Sequence, residues 1–212
     1  MRPADYPAAV AEGVEALAKR DRLLARLVAR HGACTLAPRW RRTPYEALVR
    51  AVMYQQLHGK AAATIFARFL ALFPDERFPV PERVAGADDD LLRSAGLSRQ
   101  KATYVRAIAE GALAGIVPLK RSALTALDDE AIVQRLTGIR GVGRWTVEMM
   151  LIFTLGRLDV FPVHDFGVRA GYLRAARRAD ITPASLGVVA ERWRPYRSLA
   201  AWYLWRAAEA VD

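Results

Sequence analysis

A chain of 212 residues that is 53% hydrophobic and 25% charged can build one large domain or two small lobes, and it is too apolar to stay disordered. Its formal charge of +10, from 32 Lys and Arg against 22 Asp and Glu, points to a polyanionic partner, either nucleic acid or an anionic membrane surface. A lone cysteine, Cys34, excludes an intrachain disulfide, a cysteine-held iron–sulfur cluster and a cysteine-based zinc site.

The N-terminal residues carry acids and prolines and no long apolar run, so no secretory signal is expected. No stretch reaches the ~18 consecutive apolar residues of a membrane span. The expected location is therefore cytoplasmic, at the nucleoid in a bacterium. Apolar residues recur at helical spacing nearly throughout, and no strand pair is evident, so the fold class expected is all-α.

In chain order, the first forty residues read as helical, with an amphipathic helix from Asp21 to Ala29. Thr43-Pro44-Tyr45-Glu46 is a helix start: a cap, a proline at the first position, and a glutamate three residues after the cap. That helix is expected to run to Gln56 or Leu57. The next spans Lys60 to Phe73 and stops at Pro74. Phe78 to Gly86 reads as irregular. Asp88 to Ala95 forms a short helix closed by Gly96, and Ser98 caps another that reaches Ala114. Further helices run from Asp128 to Leu136, Arg144 to Leu155 and Asp165 to Ala176. Asp159 to Pro162 is extended between the last two. Pro183 opens one more helix, and Arg197 to Ala210 closes the chain.

The most informative stretch is Leu136 to Thr146, which holds Gly138, Gly141 and Gly143 between two predicted helices. Glycine makes positive φ available at each position and lets another group approach the backbone closely. Free amides where Gly141-Val142-Gly143 enters the following helix form an anion site. Ile139 and Val142 are apolar and can pin the two helices. Contact through main-chain amides reads phosphates rather than bases, so the element suits a sequence-independent duplex anchor. The plainer alternative is a helix–helix loop with a glycine cap.

The pattern L-x-G-I-x-G-V-G-x-W-T, followed by Pro162-Val163-His164-Asp165, resembles the helix-hairpin-helix DNA glycosylases. Within that superfamily it is similar to the DNA-3-methyladenine glycosylase II family, and the likeness covers Pro44 to Ala207. The resemblance implies a single glycosylase domain over residues 1–212, made of two helical lobes with an active-site cleft between them and the hairpin at 136–146. Relatives with an extra N-terminal β-rich domain suggest that this chain is a compact form. The implied activity is hydrolysis of the N-glycosidic bond of alkylated bases, such as 3-methyladenine and 7-methylguanine, flipped out of double-stranded DNA, by an enzyme acting as a monomer.

Residue by residue, the resemblance implies the following roles. Asp165 matches the catalytic aspartate. On its own chemistry it is equally a helix N-cap with Arg169 one turn away, and the two roles are compatible. Trp145 and Trp205 match positions lining the base pocket, where electron-rich rings favour a cationic base; Tyr54 and Met149 are further candidates. Trp193 and Trp202 read as core. Leu57, in the turn Gln55 to Gly59, matches the residue that wedges into the stack. Gln55 and Gln56 either bond the orphaned base or cap the turn. Gly138, Gly141, Gly143, Arg144 and Thr146 are the phosphate-binding set. The carbonyls of Thr137, Ile139 and Val142 match a monovalent cation site, for Na+ or K+, and no other cofactor is expected.

Trp145 occupies the position where lyase members carry a lysine nucleophile, so Schiff-base chemistry is not expected. His164 stands where several relatives have a second acid. Arg99, Lys101, Arg177 and Arg178 are either phosphate contacts or solvated charges. The rival reading is a non-catalytic DNA-binding module built on the same hairpin. A membrane-surface role is disfavoured because the basic residues are spread over many helices.

Overall fold

A computed structural model of the chain describes residues 2–57 and 59–209. His58, within the turn singled out above, and Ala210 lie outside the described residues. Thirteen α-helices and one π-helical turn are present among the described residues, with no strand. The chain forms two compact units. The terminal unit is Met1–Trp40 with Leu151–Asp212, and the central unit is Arg41–Met150.

The terminal unit contains α1 (Tyr6–Arg20), α2 (Arg22–His31), the π-helical turn Leu151–Leu155, α11 (Phe166–Ala176), α12 (Pro183–Glu191) and α13 (Arg197–Glu209). Asp21 caps α2 by accepting the Leu23 and Leu24 amides on Oδ1. Its Oδ2 accepts the indole N–H of the fully buried Trp193 at 2.8 Å and pairs with Arg192 at 2.9 Å. The cap thus also satisfies an indole that burial would otherwise leave without a partner. Trp193 and Trp202 are core, as the helical spacing predicts.

The tightest packing in this unit is α11 on α13. Gly171 lies directly against the main chain of Leu204, so closely that a Cβ there would overlap the Leu204 carbonyl. Helix axes usually stand about 8–10 Å apart, and only small residues at the contact allow the near end of that range. Gly171 and Leu204 are both buried. Their contact sets the distance at which the side chains on the first turn of α11 meet those on α13.

The central unit contains α3 (Pro44–Tyr54), α4 (Gly59–Ala71), α5 (Pro81–Ala85), α6 (Asp89–Ser94), α7 (Arg99–Leu113), α8 (Ser122–Thr125), α9 (Asp129–Thr137) and α10 (Arg144–Met150). Its core helix is α3, whose Leu48, Val49, Val52 and Met53 are fully buried and which packs on α7 and α10. Thr43 caps it by accepting the Glu46 amide at 3.1 Å. The Glu46 carboxylate takes ion pairs from Arg77 at 3.0 Å and Arg42 at 3.6 Å. A buried acid is better compensated by two cations than by one amide.

Three elements differ from the sequence expectation. Helix α3 stops at Tyr54 because Gln55 turns extended (φ −53, ψ 132) and Gln56 turns left-handed (φ 56). The segment expected to be irregular contains α5, where Pro81 takes the first helical position that its fixed φ suits. The helix expected to run to Leu155 is α-helical only to Met150 and then widens into the π turn. There the Phe153 carbonyl accepts the Arg39 amide at 2.8 Å.

Gly171→Ala is the most damaging methyl addition in the terminal unit. The overlap with Leu204 costs about 3 kcal/mol, which outweighs the roughly 1 kcal/mol that alanine gains over glycine inside a helix. Urea unfolding of the variant should show a lower midpoint. An unchanged midpoint would mean that α11 and α13 are not in contact there.

Candidate active site

Two short hydrogen bonds between loop residues, Val163 N–H to Phe161 O (3.0 Å) and Asp165 N–H to Pro162 O (2.9 Å), bring the chain into α11 with Asp165 as its N-cap. The Asp165 carboxylate accepts two hydrogen bonds on Oδ1. One comes from the Val168 amide at 2.8 Å, and the other from Trp205 Nε1 at 2.8 Å. The capping role is observed, and the carboxylate is also held by a tryptophan from α13. The sequence suggests Arg169, one turn away, as a side-chain partner; the indole, forty residues along the chain, is a partner that local spacing does not suggest.

The indole reaches that far because Gly167 has no side chain. A Cβ there would stand 2.9 Å from Trp205 Cδ1 and 3.2 Å from Asp165 Oδ1. The other neighbour of the indole is Phe153 in the π turn, stacked at 5.5 Å between ring centres with the planes 30° apart. The half-buried carboxylate is therefore fixed beside a pair of stacked rings. Phe166, next to Asp165, is 80% exposed, and His164 is exposed as well. Phe153 and Gly167 escape sequence reasoning. Phe153 lies in a helix that periodicity reads as uniform, and Gly167 resembles any other helical glycine.

In the central unit the hairpin joins α9 to α10. Of its three glycines only Gly141 has positive φ (+87), and a Cβ there would strike the ring of Tyr104. Gly138 and Gly143 have ordinary backbone angles and open space where a Cβ would be. The expectation that all three supply positive φ is corrected to one. Ile139 and Val142 are buried, as the pinning role requires. Arg144 is held in a two-pronged ion pair with Glu130 at 2.6 and 2.9 Å, and its guanidinium holds the Glu130 carboxyl below its ordinary range. Thr146 is buried with its hydroxyl accepting from Gln55 Nε2 at 3.0 Å, so the structure places that side chain inside the unit.

Gln55 also donates to the Gly141 carbonyl at 3.3 Å. Its amide side chain thus ties the turn after α3 to the hairpin, a contact distinct from a bond to the orphaned base or a cap of its own turn. Gln56 and Leu57 are exposed beyond it, Leu57 at 38%. The Tyr54 hydroxyl accepts from Arg50 Nη2 at 2.6 Å, and the Arg50 guanidinium covers the Tyr54 ring at 4.2 Å and Phe66 at 4.6 Å. Trp145 and Met149 are half-buried, one turn apart on α10.

Lys101, expected to be a phosphate contact or a solvated charge, is tied to main chain within the unit. Its ammonium donates to the carbonyls of Met53 and Gln55 at 2.8 and 2.7 Å. Arg177 lines a recess of about 300 Å³ with Arg26, Arg30 and Arg174 at the far end of α11 from Asp165. No cluster of three or more His, Cys, Asp or Glu suited to a metal ion is present among the described residues. Burial pushes the Cys34 thiol up to about 11, and a thiol this reluctant to ionise is a poor ligand or nucleophile.

Comparison with known proteins converges on one family. The profile of the HhH-GPD superfamily of base excision DNA repair proteins matches residues 49–195. The chain is 42% identical over 174 residues to DNA-3-methyladenine glycosylase 1 of Schizosaccharomyces pombe, covering 81% of this chain and 75% of that protein. The solved structure of an S. pombe 3-methyladenine DNA glycosylase in complex with abasic DNA superposes with a TM-score of 0.84 at 38% identity, covering 92% of this chain and 95% of that one. A DNA-3-methyladenine glycosidase from Bacillus halodurans gives a TM-score of 0.77 at 32% identity, covering 92% and 87%. The chain belongs to the HhH-GPD superfamily of base excision DNA repair proteins.

Proposed function

We propose that this protein is a DNA glycosylase that flips alkylated bases out of duplex DNA and hydrolyses their N-glycosidic bond. The observation that carries this reading is the Asp165 carboxylate, fixed by two hydrogen bonds to one oxygen beside Trp205 and Phe153. The named activities of the relatives, DNA-3-methyladenine glycosylases, support it. A module that only gripped DNA would have no use for a carboxylate held in this way.

The chemistry needs little more than that group. In a purine alkylated at N3 or N7 the base is already cationic. The N-glycosidic bond breaks with its electron pair going to the base, which leaves neutral, so a strong general acid is not required. Positive charge develops on the sugar. A carboxylate fixed in advance beside the sugar stabilises that charge without reorganising. Water then adds to the anomeric carbon and loses a proton, for which the carboxylate is the base at hand.

The stacked Trp205 and Phe153 offer electron-rich faces to a cationic base, which favours a methylated purine over its neutral parent. Trp145, Met149 and Tyr54 keep the base-recognition role that the resemblance gives them, and Leu57 with Gln56 keeps the role of wedge. Gly138 and Gly143 are the hairpin positions open enough for a phosphate to reach the main chain. Arg144 contributes at a phosphate only by sharing itself with Glu130. The resemblance assigns a monovalent cation, Na+ or K+, to the hairpin, to be held by the carbonyls of Thr137, Ile139 and Val142. The Ile139 carbonyl already accepts the Val142 amide at 3.0 Å and would be shared. Such an ion would add positive charge beside the phosphate. Trp145 in place of a lysine supports a monofunctional enzyme without lyase activity. A cytoplasmic location, at the chromosome, follows from the substrate.

Release of free bases from methylated duplex DNA tests the reaction. Asp165→Asn should lower the rate by about a hundredfold or more while duplex binding persists. Equal rates for the two proteins would remove Asp165 from the chemistry, and no release by the wild type would remove the glycosylase reading.

Gly143→Ala tests the anchor separately. A methyl group there meets nothing in the protein, so any loss of stability should stay within the roughly 1 kcal/mol by which alanine is a poorer helix cap than glycine. Affinity for undamaged duplex should fall about tenfold, the equivalent of one lost charge-assisted hydrogen bond. Unchanged affinity would place the phosphates elsewhere.

A further inference from the structure

The wedge residue Leu57 sits in a turn with an unusual support. Gln56 is a non-glycine residue in left-handed conformation (φ 56), which costs roughly 1–2 kcal/mol and persists only where the surroundings enforce it. Helix α3 ends two residues earlier, at Tyr54, leaving main-chain carbonyls at its C-terminus that the helix cannot satisfy. Lys101, in the first turn of α7, fills that position. Its ammonium bridges the Met53 and Gln55 carbonyls, one on either side of Tyr54. Burial pulls the Lys101 ammonium below its ordinary value, a cost that a charge on the solvated face of α7 would not incur. A cation at the C-terminal end of α3 also sits favourably against the helix dipole.

The same turn of α7 touches the hairpin. Tyr104, one helical turn after Lys101, lies against the backbone of Gly141. Gln100 donates to the Tyr104 hydroxyl at 2.6 Å. From the opposite direction, the Gln55 side chain donates to the Gly141 carbonyl and the Thr146 hydroxyl. Three residues therefore join the wedge turn to the hairpin: Lys101 through the α3 carbonyls, Gln55 through its amide, and Tyr104 through its ring.

We propose that Lys101 is a positioning residue that, together with Gln55, fixes the wedge turn at Gln56 and Leu57 at a set distance from the hairpin, so that gripping the phosphates places Leu57 to enter the base stack. The proposal rests on the reading of Leu57 as the wedge. Lys101 touches neither the base nor the sugar. It acts by removing the freedom of a turn that must be in register at the moment the base leaves the stack, when displacements of about 1 Å cost up to a hundredfold in rate. A lysine suits this task because a charged ammonium bonds two carbonyls at once.

The test is a double-mutant cycle on the full chain. Single-turnover release of 7-methylguanine from duplex DNA is measured for wild type, Lys101→Met, Leu57→Ala and the double variant, with affinity for undamaged duplex measured in parallel. Lys101→Met should slow release about tenfold and leave affinity for undamaged duplex within about twofold, because the phosphate contacts stay in place. In the Leu57→Ala background it should cost nothing further, since the residue it positions is gone. Lys101→Arg, which keeps the cation, should recover part of the rate. If Lys101→Met does not fold, Gln55→Met, which cuts only the tie to the hairpin, must show the same lack of additivity with Leu57→Ala.

A full tenfold loss in both backgrounds, or no loss in either, would overturn the positioning role while leaving the wedge reading intact. An unchanged rate for Leu57→Ala alone would overturn the wedge reading, and the proposal with it.

Discussion

The approach of α11 to α13 at Gly171 is the constraint on which the candidate active site depends. With no side chain between the helix and the Leu204 main chain, the two helices close to a distance at which Trp205 can reach across to the first turn of α11. Gly167 clears the path for the indole, and Asp165 receives it. A carboxylate on a helix cap has one amide to hold it. Here it has an amide and an indole on the same oxygen, so its orientation is determined by the fold and not by the substrate. Preorganisation of this kind lets a single carboxylate act on developing charge without a reorganisation cost. The π turn completes the arrangement by stacking Phe153 on the indole.

The central unit solves a different problem with the same economy. Its hairpin keeps main chain open at the surface while staying rigid, and only one of its glycines is used for conformation. Gly141 takes the left-handed angle and accepts the Tyr104 ring, while Gly138 and Gly143 keep the surface open. Interior contacts of Ile139, Val142 and Thr146 hold the loop from below. The turn after α3 is fastened to it through Gln55 and fastened to α7 through Lys101. The turn after α3 and the hairpin thereby belong to one hydrogen-bonded assembly rather than to two independent loops.

Much of the architecture was legible in the sequence because helix starts are local chemistry. Asp21, Thr43, Asp88, Ser98, Asp128, Asp165 and Thr182 each accept the amide two or three residues ahead, which requires no knowledge of the rest of the chain. The hairpin pattern and Asp165 were legible for the same reason, with the family resemblance supplying their roles. What was not legible is non-local. Lys101 reads as a surface charge until the end of α3 is placed beside it. Glu46 reads as half of a capping box until Arg77, far along the chain, takes its carboxylate. Gly167 and Gly171 are alike in sequence, yet one accommodates an indole and the other a neighbouring helix. The widening of the helix at Leu151–Leu155 leaves no mark in apolar periodicity, so Phe153 could not be picked out beforehand.

The most direct measurement of the central claim, that the fold and not the substrate orients the Asp165 carboxylate through the indole, is the single-turnover rate of base release by Trp205→Phe on methylated duplex. Phenylalanine keeps a ring against Phe153 and removes the N–H that reaches Asp165. A carboxylate oriented through the indole predicts a slower chemical step, by about tenfold for a hydrogen bond of roughly 1.4 kcal/mol, with binding of undamaged duplex unchanged. A wild-type rate in this variant would show that Asp165 is held well enough without the indole N–H, and would contradict the claim that the indole orients the site.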